Sequence, residues 1–272
     1  MRNSRCTTLN NRQNISQFSI CMIIIIFFIS QKYRKKITKH NCKFLDGIFI
    51  MINQQRYGKL YWHVDDRETY LEFQNQKEAR TWGIEHYKNW ADKYKRVMQM
   101  SKSAIKGSLC EIPIECYCGY SYRQINEFLR YEKDDDYHTY RELADILSIV
   151  LCSAPRIPHN LVLYRMVNDE FINMLIEKNK QELPTPMQEK GFMSTSLLKN
   201  IANETESYVS QNNLLKIFVP KDTIGVYVNA VTSRSEEEML LFPNMYLGLV
   251  SYPHKDEDTG KILFECQLIK MY

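Results

Sequence analysis

The chain has 272 residues, 44% of them hydrophobic and 25% charged, with a formal net charge of +4. That balance excludes a disordered or fibrous chain, and the positive sum alone would suit a nucleic-acid or membrane-surface partner. The sum is unevenly spread. Residues 1–40 carry eight Lys/Arg and no Asp or Glu, and the other 28 basic and 32 acidic side chains give residues 41–272 a net −4. The basic character belongs to a leader, which argues against a nucleic-acid-binding body.

Within the leader, Ile20–Ile29 is an unbroken run of ten apolar residues downstream of Arg2, Arg5 and Arg12. This is the layout of a secretion signal, and it is short of the ~20 residues a spanning helix needs. No small-residue cleavage site follows Ile29; the cluster Lys32, Arg34, Lys35 and Lys36 does. A secretion signal, a membrane-proximal anchor and an upstream extension of the reading frame all remain open. The predicted organisation is a leader over 1–40, a linker over 41–59 and one domain over 60–272. The eight cysteines fall at irregular spacings, and Cys116 and Cys118 alternate as if on one side of an extended segment. They match no zinc template, so free thiols packed as small hydrophobes are predicted, and no metal site.

Glu68 to Arg96 is rich in helix formers, and Trp82, Tyr87, Trp90, Tyr94 and Val97 recur at mainly three- and four-residue steps, which predicts a helix with a buried aromatic face. A second helix is predicted over Tyr122–Arg130, with Ile125, Phe128 and Leu129 apolar and Asn126 on the neighbouring face. A third runs from Tyr137 to Leu151 with Leu143, Ile146, Leu147 and Val150 on one side, and Pro155 and Pro158 stop it. Asn160–Val167 then reads as a strand and Phe171–Lys180 as a helix ending before Pro184 and Pro186. Strand-like runs dominate afterwards: Phe192–Leu197, Leu214–Val219, Gly225–Val228, Met239–Phe242, Met245–Tyr252 and Lys261–Leu268. The last two flank a polar hairpin connection, Lys255–Gly260. Helices first and strands later predict an α+β fold with a mainly antiparallel sheet.

Three places put polar groups beside apolar strands. Arg165 follows the run Leu161–Leu163 at the predicted strand end, where a guanidinium can form a rim ion pair or clamp a phosphate. In Ser194-Thr195-Ser196, alternation sends the two serines to one face and Thr195 to the other. In Ser235-Glu236-Glu237-Glu238 before the apolar Met239–Phe242, an extended backbone puts Glu236 and Glu238 on one side and points Glu237 away. Paired carboxylates at a strand mouth can stabilise a developing cation and orient a nucleophile.

In this order and spacing, the arginine, the Ser-Thr-Ser strand and the Glu-x-Glu resemble the arginine-type mono-ADP-ribosyltransferase exoenzymes. That bacterial toxin family includes the iota-toxin enzymatic component and the Rho-modifying clostridial exoenzymes. Tyr117, Tyr122 and Asn126 in YCGYSYRQINEFLR are similar to its Tyr, Tyr, Asn helix signature. APRIPHNLVLYRMV (154–167) and KGFMSTSL (190–197) are similar to family segments throughout, and Trp82, Gly83, Tyr87 and Trp90 resemble its amino-terminal helix. The resemblance covers roughly residues 60 to 272.

It implies an ADP-ribosyltransferase fold, with amino-terminal helices on a mainly antiparallel two-sheet β core, and NAD as a substrate used without a metal. It further implies that Arg165 holds the NAD phosphates and that the Met166 backbone lies near the nicotinamide amide. Tyr117 and Tyr122 flank the dinucleotide, Asn126 serves its phosphate and ribose region, and Thr195 and Ser196 belong to the same binding strand. Ser194 positions Glu238, which contacts the nicotinamide ribose and stabilises the oxocarbenium-like cation. At position 236, Gln goes with asparagine acceptors in the family and Glu with arginine, so Glu236 implies an arginine of a host protein, with actin a candidate. The chain departs from the actin-directed members at Ser233, where they commonly carry an aromatic, and at Met166, where many carry a second arginine. The implied enzyme is a secreted monomeric toxin acting in host cytosol, with a separate translocation partner a further implication. An NAD glycohydrolase and a catalytically silent binding module of the same fold are the alternatives.

Overall fold

The structure, a computed structural model, describes residues 39–104, 113–203, 206–234 and 236–270. Residues 1–38 of the leader, with its apolar run, and Ser235 lie outside the described residues. The chain divides into two compact units, Met1–Gln55 and Arg56–Tyr272. The described part of the first is helix α1, Lys39–Tyr57, which ends just inside the second and occupies most of the stretch predicted as a linker. No helix among the described residues is long and apolar enough to cross a membrane.

The second unit begins with a 3-10 turn at Arg67–Thr69 and an extended stretch before helix α2, Gln76–Ala104. Helix-forming composition from Glu68 is overridden here. The Leu71 N–H donates to the Asn160 carbonyl and its carbonyl accepts from the Val162 N–H, both at 2.9 Å. The helix starts only where the Asn75 side chain accepts the Glu78 N–H at 3.0 Å, satisfying a free donor of the first turn. Trp82, Tyr87 and Tyr94 are buried as predicted, whereas Val97 is 54% exposed. The stripe continues at Met98 instead, because the four-residue step from Tyr94 follows the 3.6-residue period.

Helix α3, Pro113–Cys116, runs through one π-type turn, Tyr117–Ser121, into α4, Tyr122–Tyr131. Cys116 and Cys118 are therefore on helical backbone and not on an extended segment, a correction to their alternation. Pro113 at the first helical position sets a helical φ, and the wider π turn inserts one residue into the helical register. Tyr117 is consequently buried while Tyr122 is 46% exposed. Helix α5, Thr139–Ser153, buries Leu143, Leu147 and Val150.

Strand β1, Leu161–Val167, continues past Arg165, and Asn168 caps the following helix α6, Asp169–Asn179, by accepting the Phe171 N–H at 3.0 Å. Strands β2 (Met187–Glu189), β3 (Met193–Ser196), β4 (Asn213–Val219), β5 (Gly225–Tyr227), β6 (Glu238–Leu241), β7 (Met245–Leu249), β8 (His254–Lys255) and β9 (Ile262–Ile269) complete the sheet. A short helix α7, Glu206–Val209, lies between β3 and β4. The strand order is β2-β7-β9-β4-β1-β3-β6-β5 with β8 on β9, and β4 with β9 is the parallel pair. Two strand sets, β2-β7-β9-β4-β1 and β3-β6-β5, meet through the pair Tyr164 and Ser196. This is the α+β architecture the sequence predicts.

Alternation on β1 and β4 builds both cores. Leu161, Leu163, Leu215, Ile217 and Val219 pack with the helices, and Val162, Tyr164, Leu214 and Phe218 pack on the other face. A strand buried on both faces reads as an unbroken apolar run, so the one arginine in β1 stands out.

Candidate active site

Strands β3 and β6 run antiparallel with Ser196 opposite Glu238 and Ser194 opposite Leu240. Ser194, Ser196 and Glu238 thus share a face, and Ser194 Oγ donates to Glu238 Oε1 at 2.5 Å. The other carboxylate oxygen, Oε2, has the Cys118 thiol at 3.9 Å and Arg234 Nε at 3.5 Å. The Glu238 side chain is 2% exposed. Burial raises its pKa above the ordinary glutamate value, against the Ser194 bond, the Arg234 charge and the Cys118 contact.

Glu236 precedes the strand and is half-buried. Burial pushes the Tyr208 phenol on α7 up to about 12, and Glu236 and Glu238 add to the shift while Arg165 and Arg234 oppose it. The Cys118 thiol is raised by burial first, then by Glu238, with Glu236 contributing. Both carboxylates therefore act on the same two side chains. Glu237 points away, as alternation predicts, but not into solvent. Its fully buried carboxylate accepts from Arg80 Nη2 at 2.9 Å, Gln76 Nε2 at 3.0 Å and the Tyr227 hydroxyl.

Arg165 is half-buried, with its guanidinium carbon 5.8 Å from the Phe171 ring centre. Its Nη1 is buried and has no hydrogen-bond partner. Burial lowers the Arg165 pKa, against the Glu189 charge. A buried donor left unmet in this way is suited to an anionic ligand. It borders a cleft of about 380 Å³ whose lining includes Arg130, Met166, Phe171, Met174 and Glu189. Arg130 binds Glu189 through two bonds of 2.9 and 3.1 Å, and the Gly191 N–H donates to the same carboxylate at 2.8 Å.

Asn126 and Tyr117 are buried. Asn126 Nδ2 donates to the Tyr117 hydroxyl at 3.0 Å and the Phe192 carbonyl at 3.4 Å, and Asn126 Oδ1 accepts the Phe192 N–H at 2.9 Å. The Asn126 amide thereby fixes the entry to β3. Thr195 Oγ1 donates to the Met239 carbonyl at 2.7 Å, and Ser196 Oγ accepts the Leu198 N–H at 3.0 Å. Both hydroxyls hold the strand in place.

Ser194 and Glu238 therefore form one group, with Glu236 coupled to it through Cys118 and Tyr208, and Arg165 with Met166 another. Ser194 and Glu238 are not in the lining of the Arg165 cleft. The charges of Arg165 and Glu238 both reach Tyr117 and Tyr208, which links the groups. Sequence reasoning missed Arg130, Arg234, Cys118 and Tyr208. Arg130 and Arg234 carried a usable signal, since each lies four residues from a named site residue, Asn126 and Glu238.

The arrangement can bind an anionic ligand at Arg165 and set a serine-held carboxylate beside a developing cation. Structures with a similar fold include the ADP-ribosylating toxin BECa of a binary enterotoxin of C. perfringens with NADH, at 20% identity and a TM-score of 0.57. That match covers 74% of this chain and 50% of the other, so the present chain spans about half of that protein's length. Plx2a, an ADP-ribosyltransferase toxin from Paenibacillus larvae, matches at 19% identity and a TM-score of 0.53, over 74% of this chain and 100% of its own. C3stau2 from S. aureus, solved with NAD, matches at 20% and 0.52, over 74% and 99%. At these identities the structures show a shared fold. No curated protein matches the sequence. The family model described as ADP-ribosyltransferase exoenzyme matches residues 79–259, a span holding Arg165, the Ser-Thr-Ser strand and the Glu-x-Glu: the chain belongs to the ADP-ribosyltransferase exoenzyme family.

Proposed function

We propose that this chain is an NAD-dependent mono-ADP-ribosyltransferase that transfers ADP-ribose to an arginine of a host protein and releases nicotinamide. The observation that carries this reading is the buried Glu238 carboxylate, held by Ser194 and flanked by Arg234. On this reading the unmet Arg165 Nη1 donates to the NAD diphosphate, with Arg130 as a second cation in the same cleft. Tyr117 and Tyr122 flank the dinucleotide, and Asn126 acts through the Tyr117 hydroxyl and the Phe192 backbone. As the glycosidic bond to nicotinamide breaks, positive charge develops on the ribose. A preorganised carboxylate in a water-poor site stabilises that charge by several kcal/mol on the usual mutational scale, about 3 kcal/mol for one such group. Glu236 orients the acceptor guanidinium and accepts its proton, which an amide at that position could not do. The resemblance to actin-directed members makes actin the first protein acceptor to try.

The test incubates the protein with adenylate-labelled NAD, a cell lysate and, in parallel, agmatine as a free guanidino acceptor. Label on protein and on agmatine supports transfer to arginine; free ADP-ribose alone assigns the chain as a glycohydrolase; bound but unconsumed NAD assigns a silent module. Glu238→Gln should lower nicotinamide release on the order of 100-fold or more. Glu236→Gln should abolish agmatine labelling while NAD is still hydrolysed, and labelling that survives it would remove Glu236 from the acceptor step.

A further inference from the structure

Arg234 lies four residues before Glu238 and two before Glu236. Its Nε is 3.5 Å from Glu238 Oε2, its Nη1 donates to the Cys118 carbonyl at 2.8 Å, and its own carbonyl accepts from Asn229 Nδ2 at 3.1 Å. The Arg234 side chain is 34% exposed and that of Glu238 2%. A guanidinium of the protein itself thus stands against the carboxylate where the reactive ribose carbon is generated, on a backbone that holds it there. Tethering of this kind replaces a bimolecular encounter by an intramolecular one, with effective concentrations far above those of any free acceptor.

We propose that Arg234 is a modification site: the enzyme ADP-ribosylates this arginine in cis. The inference rests on the arginine-acceptor reading of the same site and names a second, internal acceptor for it. In the step, a guanidino nitrogen of Arg234 forms a bond to C1′ of the nicotinamide ribose as the bond from C1′ to the nicotinamide nitrogen breaks. Nicotinamide leaves with that electron pair, neutral. The proton lost by the attacking nitrogen passes to Glu236 and on to solvent, so one NAD and one arginine give one ADP-ribosyl-arginine, one nicotinamide and one proton. The product carries a diphosphate and an adenosine beside Glu238 and blocks the next NAD, so the modification is limited to one per chain and ends turnover.

The full chain is incubated with NAD and no other protein, digested, and mapped by mass spectrometry, with agmatine labelling followed in parallel. One ADP-ribose on the peptide carrying Arg234 is expected, at a first-order rate independent of protein concentration. Glu238→Gln, which keeps Arg234, should stay unlabelled even when mixed with active wild type, and Arg234→Lys, which keeps the positive charge beside Glu238, should lose the label. Agmatine labelled by a wild-type chain whose Arg234 peptide is unmodified would overturn the inference and leave the arginine-acceptor reading standing. Label appearing on Glu238→Gln in the mixture would overturn modification in cis. Absence of label on both agmatine and enzyme would remove the arginine-acceptor reading and this inference together.

Discussion

Glu238 is held between opposing influences. Burial favours its protonated form, while the Ser194 hydroxyl, the Arg234 guanidinium and the Cys118 thiol favour the carboxylate. On the proposed reading the ionised form is the one that stabilises a cation, so activity should rise with pH along an acid limb set above the ordinary glutamate range. Arg234→Gln removes a charge that lowers the Glu238 pKa and should move that limb to higher pH; a limb that moves down, or stays in place, would show that Arg234 does not act on Glu238. Stability carries the opposite signature. A carboxyl whose pKa is raised on folding contributes stability below its unfolded pKa and loses it as pH rises through the folded value, each tenfold tightening of proton binding being worth ~1.4 kcal/mol. Glu238→Gln should therefore melt higher than wild type at neutral pH, with the gain fading on acidification, the exchange of stability for activity common at reactive sites. Equal melting temperatures at neutral pH would mean that Glu238 is not strained by its burial.

At the scale of elements, Glu237 carries a lesson about what a sequence conceals. Alternation correctly turns it away from Glu236 and Glu238, but its partners Arg80 and Gln76 are on α2, more than 150 residues earlier in the chain, and no local pattern points to them. Tyr227 on β5 completes the group, and α2 reaches it only because residue 83 is glycine: a Cβ there would lie 2.4 Å from the Tyr227 ring. The Tyr227 hydroxyl bonds Glu237, so the ring cannot swing aside freely. Gly83→Ala gains up to ~1 kcal/mol of helix propensity against overpacking of typically ~1–3 kcal/mol. A net loss of about 1–2 kcal/mol is predicted, read as a lower urea midpoint at unchanged slope; a stabilised variant would show that Tyr227 yields. The strands were legible because β1 and β4 are buried on both faces and read as apolar runs. The helical backbone at Cys118 was not, because two cysteines with one residue between them fit one side of a strand and a π-type turn equally well. The Ser194 and Glu238 pairing could be anticipated only through resemblance, since its register depends on β3 and β6 meeting 44 residues apart.

For the whole molecule, the site and both cores are built from residues 56–272, the second compact unit. Its first residues are fastened to the sheet and helices: Asn179 Nδ2 donates to the Tyr57 carbonyl at 2.6 Å and to the Lys59 carbonyl at 3.0 Å. The buried Tyr57 ring packs edge-on to Phe264 with centres 6.5 Å apart, and Trp62 packs on the second core. A chain beginning at Arg56 keeps these contacts, whereas one beginning at His63 loses the Tyr57 and Trp62 side chains and both backbone acceptors of the Asn179 amide. Burial of a large aromatic is worth ~3 kcal/mol or more on truncation, and each lost hydrogen bond a further ~0.5–1.5 kcal/mol. The first truncation should therefore melt close to the full chain and release nicotinamide from NAD. The second should lose several kcal/mol of stability, a large part of what a domain of this size holds in reserve. Loss of folding in the chain starting at Arg56 would place part of the second unit's support in the residues before it.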